Sequence, residues 1–305
     1  VIEIGPDNRH ERSQPVSIQE LLPIALKSSI ILMVFALGLN ARVADAIYLF
    51  HRPGELVRSL LAMNILMPVI AIVVSLVFDL YPAVKVAIVT LSLSPVPPIL
   101  PKQAVKTIGE ASYSVGLLVA TALFSIIFIP IAMKVLEMIF SISMQMTMAS
   151  VAILVAISVL IPLLAGITVH RVAPSLAEKL ARPLSIIGTV LLILVLIPVL
   201  IAMLPALISV IGEGRILALM SLVIVGIAIG HFLGGPDPED RTFLAVATAS
   251  RHPAVALAIA NTNFPQQKLT APIVVVYVIL SAIVSVPYIA WAKRQQAHLA
   301  GTAKA

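Results

Sequence analysis

Long, unbroken apolar runs alternate along this chain with short polar stretches, and each run approaches or exceeds the ~20 residues a helix needs to cross a bilayer. The pattern predicts about nine membrane-spanning elements. They fall at 20–39, 55–78, 83–109, 111–138, 146–170, 182–209, 216–234, 240–262 and 269–292. Residues 1–19 read as a polar N-terminal tail without a signal-peptide core, and 293–305 as a polar cytoplasmic tail. The runs are continuous rather than alternating, so a membrane β-barrel is excluded. The fold class is an all-α polytopic membrane protein.

Two of the elements are interrupted. The first break, 92–103, reads Ser-Leu-Ser-Pro-Val-Pro-Pro-Ile-Leu-Pro-Lys-Gln, with prolines at 95, 97, 98 and 101. No helix continues through such a run, because each proline lacks a donor and clashes with the preceding turn, and displaces the residue before it from helical geometry. The second break is Ser250-Arg251-His252-Pro253, midway along an element of small residues. A long helix pair precedes each break and one long helix follows it, and the two broken elements run in opposite directions. That relation defines an inverted repeat, with a first unit at 20–140 and a second at 145–292, and two discontinuous helices crossing near the bilayer centre.

Composition agrees: 60% of residues are hydrophobic and 11% charged, against about 25% charged in soluble domains. The chain has no cysteine, which excludes disulfides, thiol catalysis and thiolate metal sites. Its net charge of +6 points to loop bias rather than nucleic acid, since the basic residues lie between apolar runs. Arg42, Arg52 and Arg58, then Arg171, Lys179 and Arg182, then Arg241, and finally Lys293, Arg294 and Lys304 mark alternate loops. The positive-inside rule puts the C-terminus in the cytoplasm and the N-terminus outside, in a bacterial inner membrane; Arg9 and Arg12 count against it.

Lys102 and Arg251 are the charges that matter. Each lies at a break with no acid nearby in sequence, and intramembrane charge is costly and functional by default. The alternative is that both sit at helix ends and snorkel. Two unpartnered cations at one cavity would attract an anion, and a carboxylate suits a guanidinium fork and an ammonium. Pro98, Gln103, Ser112, Ser114, Ser250 and His252 are candidate neighbours at the breaks, against a packing role for each. Asn64, just before Pro68, reads equally as a site residue or as a partner for the carbonyls that proline frees. Lys27 lines a vestibule or reaches a helix end. The loop Gly234–Asp240 reads as turn chemistry rather than a metal site. No metal or cofactor is called for, and no enzymatic motif is present.

At the two breaks the sequence resembles the bile acid:sodium symporter family and the wider group holding arsenite permeases and auxin carriers. The likeness runs from Leu21-Leu22-Pro23 and Leu37-Gly38-Leu39, through Leu66-Met67-Pro68 and the first break. It continues with Ile161-Pro162, Gly166-Ile167 and His170, and ends at Arg241-Thr242 and the second break. The resemblance implies a panel and a core domain, with two discontinuous helices behind a substrate cavity. Bacterial members have about ten helices, which implies that this chain lacks the first, as vertebrate members do.

The departures concern sodium. Where the family has serine and asparagine after its first break, this chain has prolines and then Lys102-Gln103. Where it has a glutamate and then Gln-Asn in the second crossing helix, this chain has Val246 and then Ser250-Arg251. Hard cations want several oxygens, usually including a carboxylate, and only Ser114 survives as a ligand. Lys102 and Arg251 are therefore read as replacing bound sodium. The expected function is a secondary transporter of a small or amphipathic organic anion. Facilitated diffusion, exchange and proton coupling through Lys102 remain open. The alternatives are a sodium-coupled symporter with displaced ligands, an anion channel or sensor, and a structural subunit. Arsenite transport is disfavoured without its cysteine.

Overall fold

The computed structural model describes residues 18–97, 100, 111–141, 145–210 and 215–302. Helix α1 (Ile18–Leu39) is followed by a short α2 (Val43–Ile47) that continues as a 3-10 turn to His51. Next, α3 (Pro53–Leu60) and α4 (Met67–Val77) are joined by a π-helical segment, Leu61–Leu66. After α5 (Pro82–Leu93) and α6 (Ala111–Phe140), α7 (Met148–Val155) and α8 (Ile161–Val172) are joined by a second π-helical segment, Ala156–Leu160. The chain closes with α9 (Pro174–Val210), α10 (Arg215–Leu233), α11 (Pro238–Ala249), α12 (Pro253–Asn263) and α13 (Thr270–Thr302).

The protein is all-α and polytopic. Among the described residues 7 helices are long and apolar enough to cross a membrane, or up to 8 if the pair Ile24–Leu39 and Val43–His51, bent by 106°, counts as one. Of the element predicted at 83–109, residues 83–97 and Leu100 are described.

Prolines shape this fold at both ends of its helices and inside them. Pro53, Pro82, Pro238 and Pro253 each open a helix, where a missing donor costs nothing. Pro68 and Pro162 instead follow the two π segments. The Met67 amide bonds the Ala62 carbonyl and the Ile161 amide bonds Ala156, five residues back in each case. The wider turn relieves the clash a proline would cause in α register. Helix α9 begins at Pro174, eight residues earlier than the apolar run suggested: its charged first turns simply extend beyond the bilayer. Likewise α13 continues as helix to Thr302, into the stretch read as a tail. Residues 40–54, read as a loop, contain the helix Val43–His51.

Two packing groups result. Helix α1 packs on α8 and α9, and a Cβ on Gly38 would strike the Leu163 carbonyl, as one on Gly166 would strike that of Phe35. These backbones touch, as small residues permit between membrane helices. In the other group α10 packs on α11, while α5 packs on α4, α12 and α13. Helix α6 meets α7, and α9 meets α13, where the groups join.

Candidate functional site

Helix α5 stops at Leu93 because Pro95 forces Ser94 into extended geometry, φ −75° and ψ 147°. The Ser92 and Ser94 hydroxyls turn back to donate to the Val89 and Leu91 carbonyls, at 2.7 and 2.8 Å. Residues 91–97 are all buried. Helix α11 stops at Ala249, with Ser250 and His252 both extended before Pro253 starts α12. The two interruptions meet: the His252 amide donates to the Pro95 carbonyl at 3.0 Å.

Arg251 fills the crossing. Its side chain is 2% exposed, with Nη1 donating to the Ser94 carbonyl at 3.1 Å and Nη2 to the Met63 carbonyl at 3.0 Å. In the π register Met63 is five residues before Pro68, so it is the carbonyl that proline leaves without a donor. The guanidinium thus links both breaks to the first π segment. Among the described residues its charge is met by backbone carbonyls and by no acid. Salt bridges among the described residues join Arg52 to Glu55 and Lys134 to Glu137. The C-terminus of α5 ends at the guanidinium through the Ser94 carbonyl, and its dipole favours a cation there.

Pro253 frees a carbonyl too, that of Ala249 four residues before it. Tyr277 and Ser281 on α13 supply the donors, at 2.6 and 3.2 Å. Ser250 Oγ lies 3.1 Å from Ser281 Oγ. Tyr277 and Ser281 were not singled out in the sequence; the signal was a hydroxyl pair one turn apart on the helix after the break.

The structure therefore brings Ser250, Arg251 and His252 together with Ser94, Pro95 and Met63. Asn64 follows the bridged carbonyl and is 2% exposed. The freed Met63 carbonyl is taken by Arg251, and the Asn64 amide has no partner among the described residues. Both Asn64 side-chain polar atoms, both His252 ring nitrogens and Arg251 Nε are buried without a hydrogen-bond partner among the described residues. Unpaired buried polar groups of this kind are rare and call for a ligand or water.

Ser112 is placed elsewhere: its hydroxyl donates to Asp45 Oδ1 at 2.6 Å, tying α6 to α2. Ser114 is buried on α6 and Lys27 is exposed on α1. Pro98, Lys102 and Gln103 lie outside the described residues. In the Gly234–Asp240 loop, Gly235 has φ +84°, which favours glycine. Asp237 there accepts from the amides of Glu239 and Asp240, and Arg241 donates to the Gly235 and Pro236 carbonyls. No group of three or more His, Asp or Glu side chains suited to a metal occurs among the described residues.

The description Sodium Bile acid symporter family matches residues 28–210, more than half of the chain, including the first break and both π segments. The chain belongs to the sodium bile acid symporter family. No curated protein matches it. As a member of a symporter family with an all-α, membrane-spanning fold, this protein is a transporter. The Arg251 crossing reaches beyond the matched residues, since α11 and α12 follow residue 210.

Proposed function

We propose that this symporter-family member moves a small or amphipathic organic anion, a carboxylate, by alternating access and without sodium. The reading rests on one observation: a guanidinium built into the chain holds the Ser94 and Met63 carbonyls. Carbonyl oxygens from separate elements are what a hard monovalent ion would bridge. Here the cation is covalent, so it needs no gradient to be present.

Arg251 then contributes charge above all, because each Nη gives one of its two N–H groups to backbone. Its field in a low-dielectric interior still favours an anion. Direct contact falls to the donors and acceptors left over on His252, Asn64 and Arg251, and Lys102, in the sequence of the first break, is assigned the same role. The packing groups correspond in this reading to panel and core, and the two halves of the chain to inverted repeats. The C-terminus faces the cytoplasm of a bacterial cell.

Uptake of labelled carboxylates into proteoliposomes tests the proposal, with sodium or choline as the external cation. Equal uptake in the two salts is expected, and saturation with substrate. Strict dependence on sodium overturns the coupling assignment, and single-channel currents overturn the carrier mechanism.

A further inference from the structure

The segment Val43–His51 joins the end of α1 to the start of α3. Helix α1 is apolar and 22 residues long, enough to cross a bilayer, and α3 opens the span Pro53–Val77. A segment that joins two successive spans lies at a bilayer surface. Its bend of 106° from α1 turns it close to the membrane plane. The segment has two unlike faces. Ala46 and Leu49 are buried, at 5% and 0% exposure, and pack toward α6, where a Cβ on Gly116 would come 3.2 Å from the Asp45 carbonyl. Val43, Ile47 and Phe50 are 46%, 42% and 47% exposed. Their spacing of four and three residues places them in one stripe.

The ends of the segment are basic. Arg42 and Arg52 are exposed, with the Arg52 guanidinium over the Tyr48 ring at 4.3 Å and 3.2 Å from Glu55. The one acid within the segment, Asp45, is turned inward, accepting from the Arg42 amide and the Ser112 hydroxyl. An exposed apolar stripe flanked by arginines is the pattern of an interfacial helix, with acyl chains under its apolar face and anionic headgroups at its cations.

We infer that Val43–His51 is a lipid-binding surface helix that inserts Val43, Ile47 and Phe50 at the headgroup boundary and takes anionic phospholipid headgroups at Arg42 and Arg52. Through the Asp45–Ser112 bond it carries that contact to α6, and through its two ends to α1 and α3. The inference does not depend on the substrate or on its coupling.

The chain has no cysteine, so single-cysteine variants Ile47→Cys and Phe50→Cys can be labelled cleanly with a fluorophore in the whole protein. In phosphatidylcholine vesicles, nitroxide carried on lipid near the headgroups is expected to quench both labels several-fold more than aqueous iodide. Stronger quenching by iodide at both sites overturns insertion. Adding phosphatidylglycerol to nanodiscs is expected to raise the thermal midpoint of the parent protein and not that of Arg42→Gln/Arg52→Gln. Inorganic phosphate at matched ionic strength should raise neither. An equal rise in parent and variant, or a rise produced by inorganic phosphate, overturns the headgroup assignment.

Discussion

Replacing Arg251 by methionine keeps most of the side chain's length and removes its donors. Two buried carbonyls, Ser94 and Met63, then lose their charge-assisted bonds. Such bonds contribute about 1.5–3 kcal/mol each, and a buried acceptor left unpaired costs about 1–3 kcal/mol. Methionine no longer has to be desolvated as a charge, which offsets part of the loss. The net expectation is a destabilisation of about 2–5 kcal/mol, read as a lower midpoint in equilibrium unfolding from mixed micelles. Arg251→Lys should fall between the two, since one ammonium lacks the planar fork that spans both oxygens. A sharper test uses Pro68, because that residue is why the Met63 oxygen is open. Pro68→Ala restores a backbone donor there, so Arg251→Met should cost less in that background, by about 1–2 kcal/mol of coupling. If the two substitutions add within about 0.5 kcal/mol, the guanidinium is not compensating for the proline and the account of the crossing fails.

Tyr277→Phe removes the shorter of two donors to Ala249, and Ser281 remains; a loss of about 1 kcal/mol in the same unfolding assay is expected. Asn64→Leu deletes an amide whose buried atoms have no partner among the described residues, so stability should hold or rise while carboxylate uptake falls. Unchanged uptake would remove Asn64 from the site. Gly166→Ala places a methyl against the Phe35 carbonyl and 2.8 Å from Gly38, and overpacking of this kind costs about 1–3 kcal/mol. Its check is the monodispersity and thermal midpoint of the purified protein, which should both suffer more than in Gly54→Ala, where nothing lies within 4 Å.

How far the sequence could be read depended on whether the partner of a group was another side chain or the backbone. Spans such as Pro53–Val77 and Met148–Val172 were legible within a few residues, because lipid demands continuous apolar helix. The breaks at Ser94 and Ser250 were legible because proline acts on its immediate neighbours. The work of Arg251 was not, because its partners are carbonyls 157 and 188 positions away, and a carbonyl has no letter in a sequence. The helix at Val43–His51 was hidden for a related reason. Nine residues are too few to register as a span, and its stability comes from lying on α6. At α9, Glu178, Lys179 and Arg182 looked like a loop, although a helix need not end where the hydrocarbon does.

The backbone of the crossing also bears on how such a protein can move. The interruptions at the crossing open oxygens that lipid cannot satisfy, and four of these, among the described residues, are met from other elements. Arg251 reaches Ser94 and Met63, Tyr277 and Ser281 reach Ala249, and the His252 amide reaches Pro95. Pulling any one element away would expose at least one buried carbonyl, at about 1–3 kcal/mol apiece. The elements around the crossing are therefore costly to separate and cheap to move together. On the other side, the Gly38 and Gly166 contact leaves α1 and α8 no room to slide past each other without a backbone clash. Motion that respects both constraints has its slip plane between the two packing groups, along α6 with α7 and α9 with α13. It also passes through the surface helix Val43–His51, which is fastened to α6 by Asp45 and continuous with α1. For the alternating access proposed above, a rigid-body displacement of one packing group against the other is the motion those bonds permit at least cost.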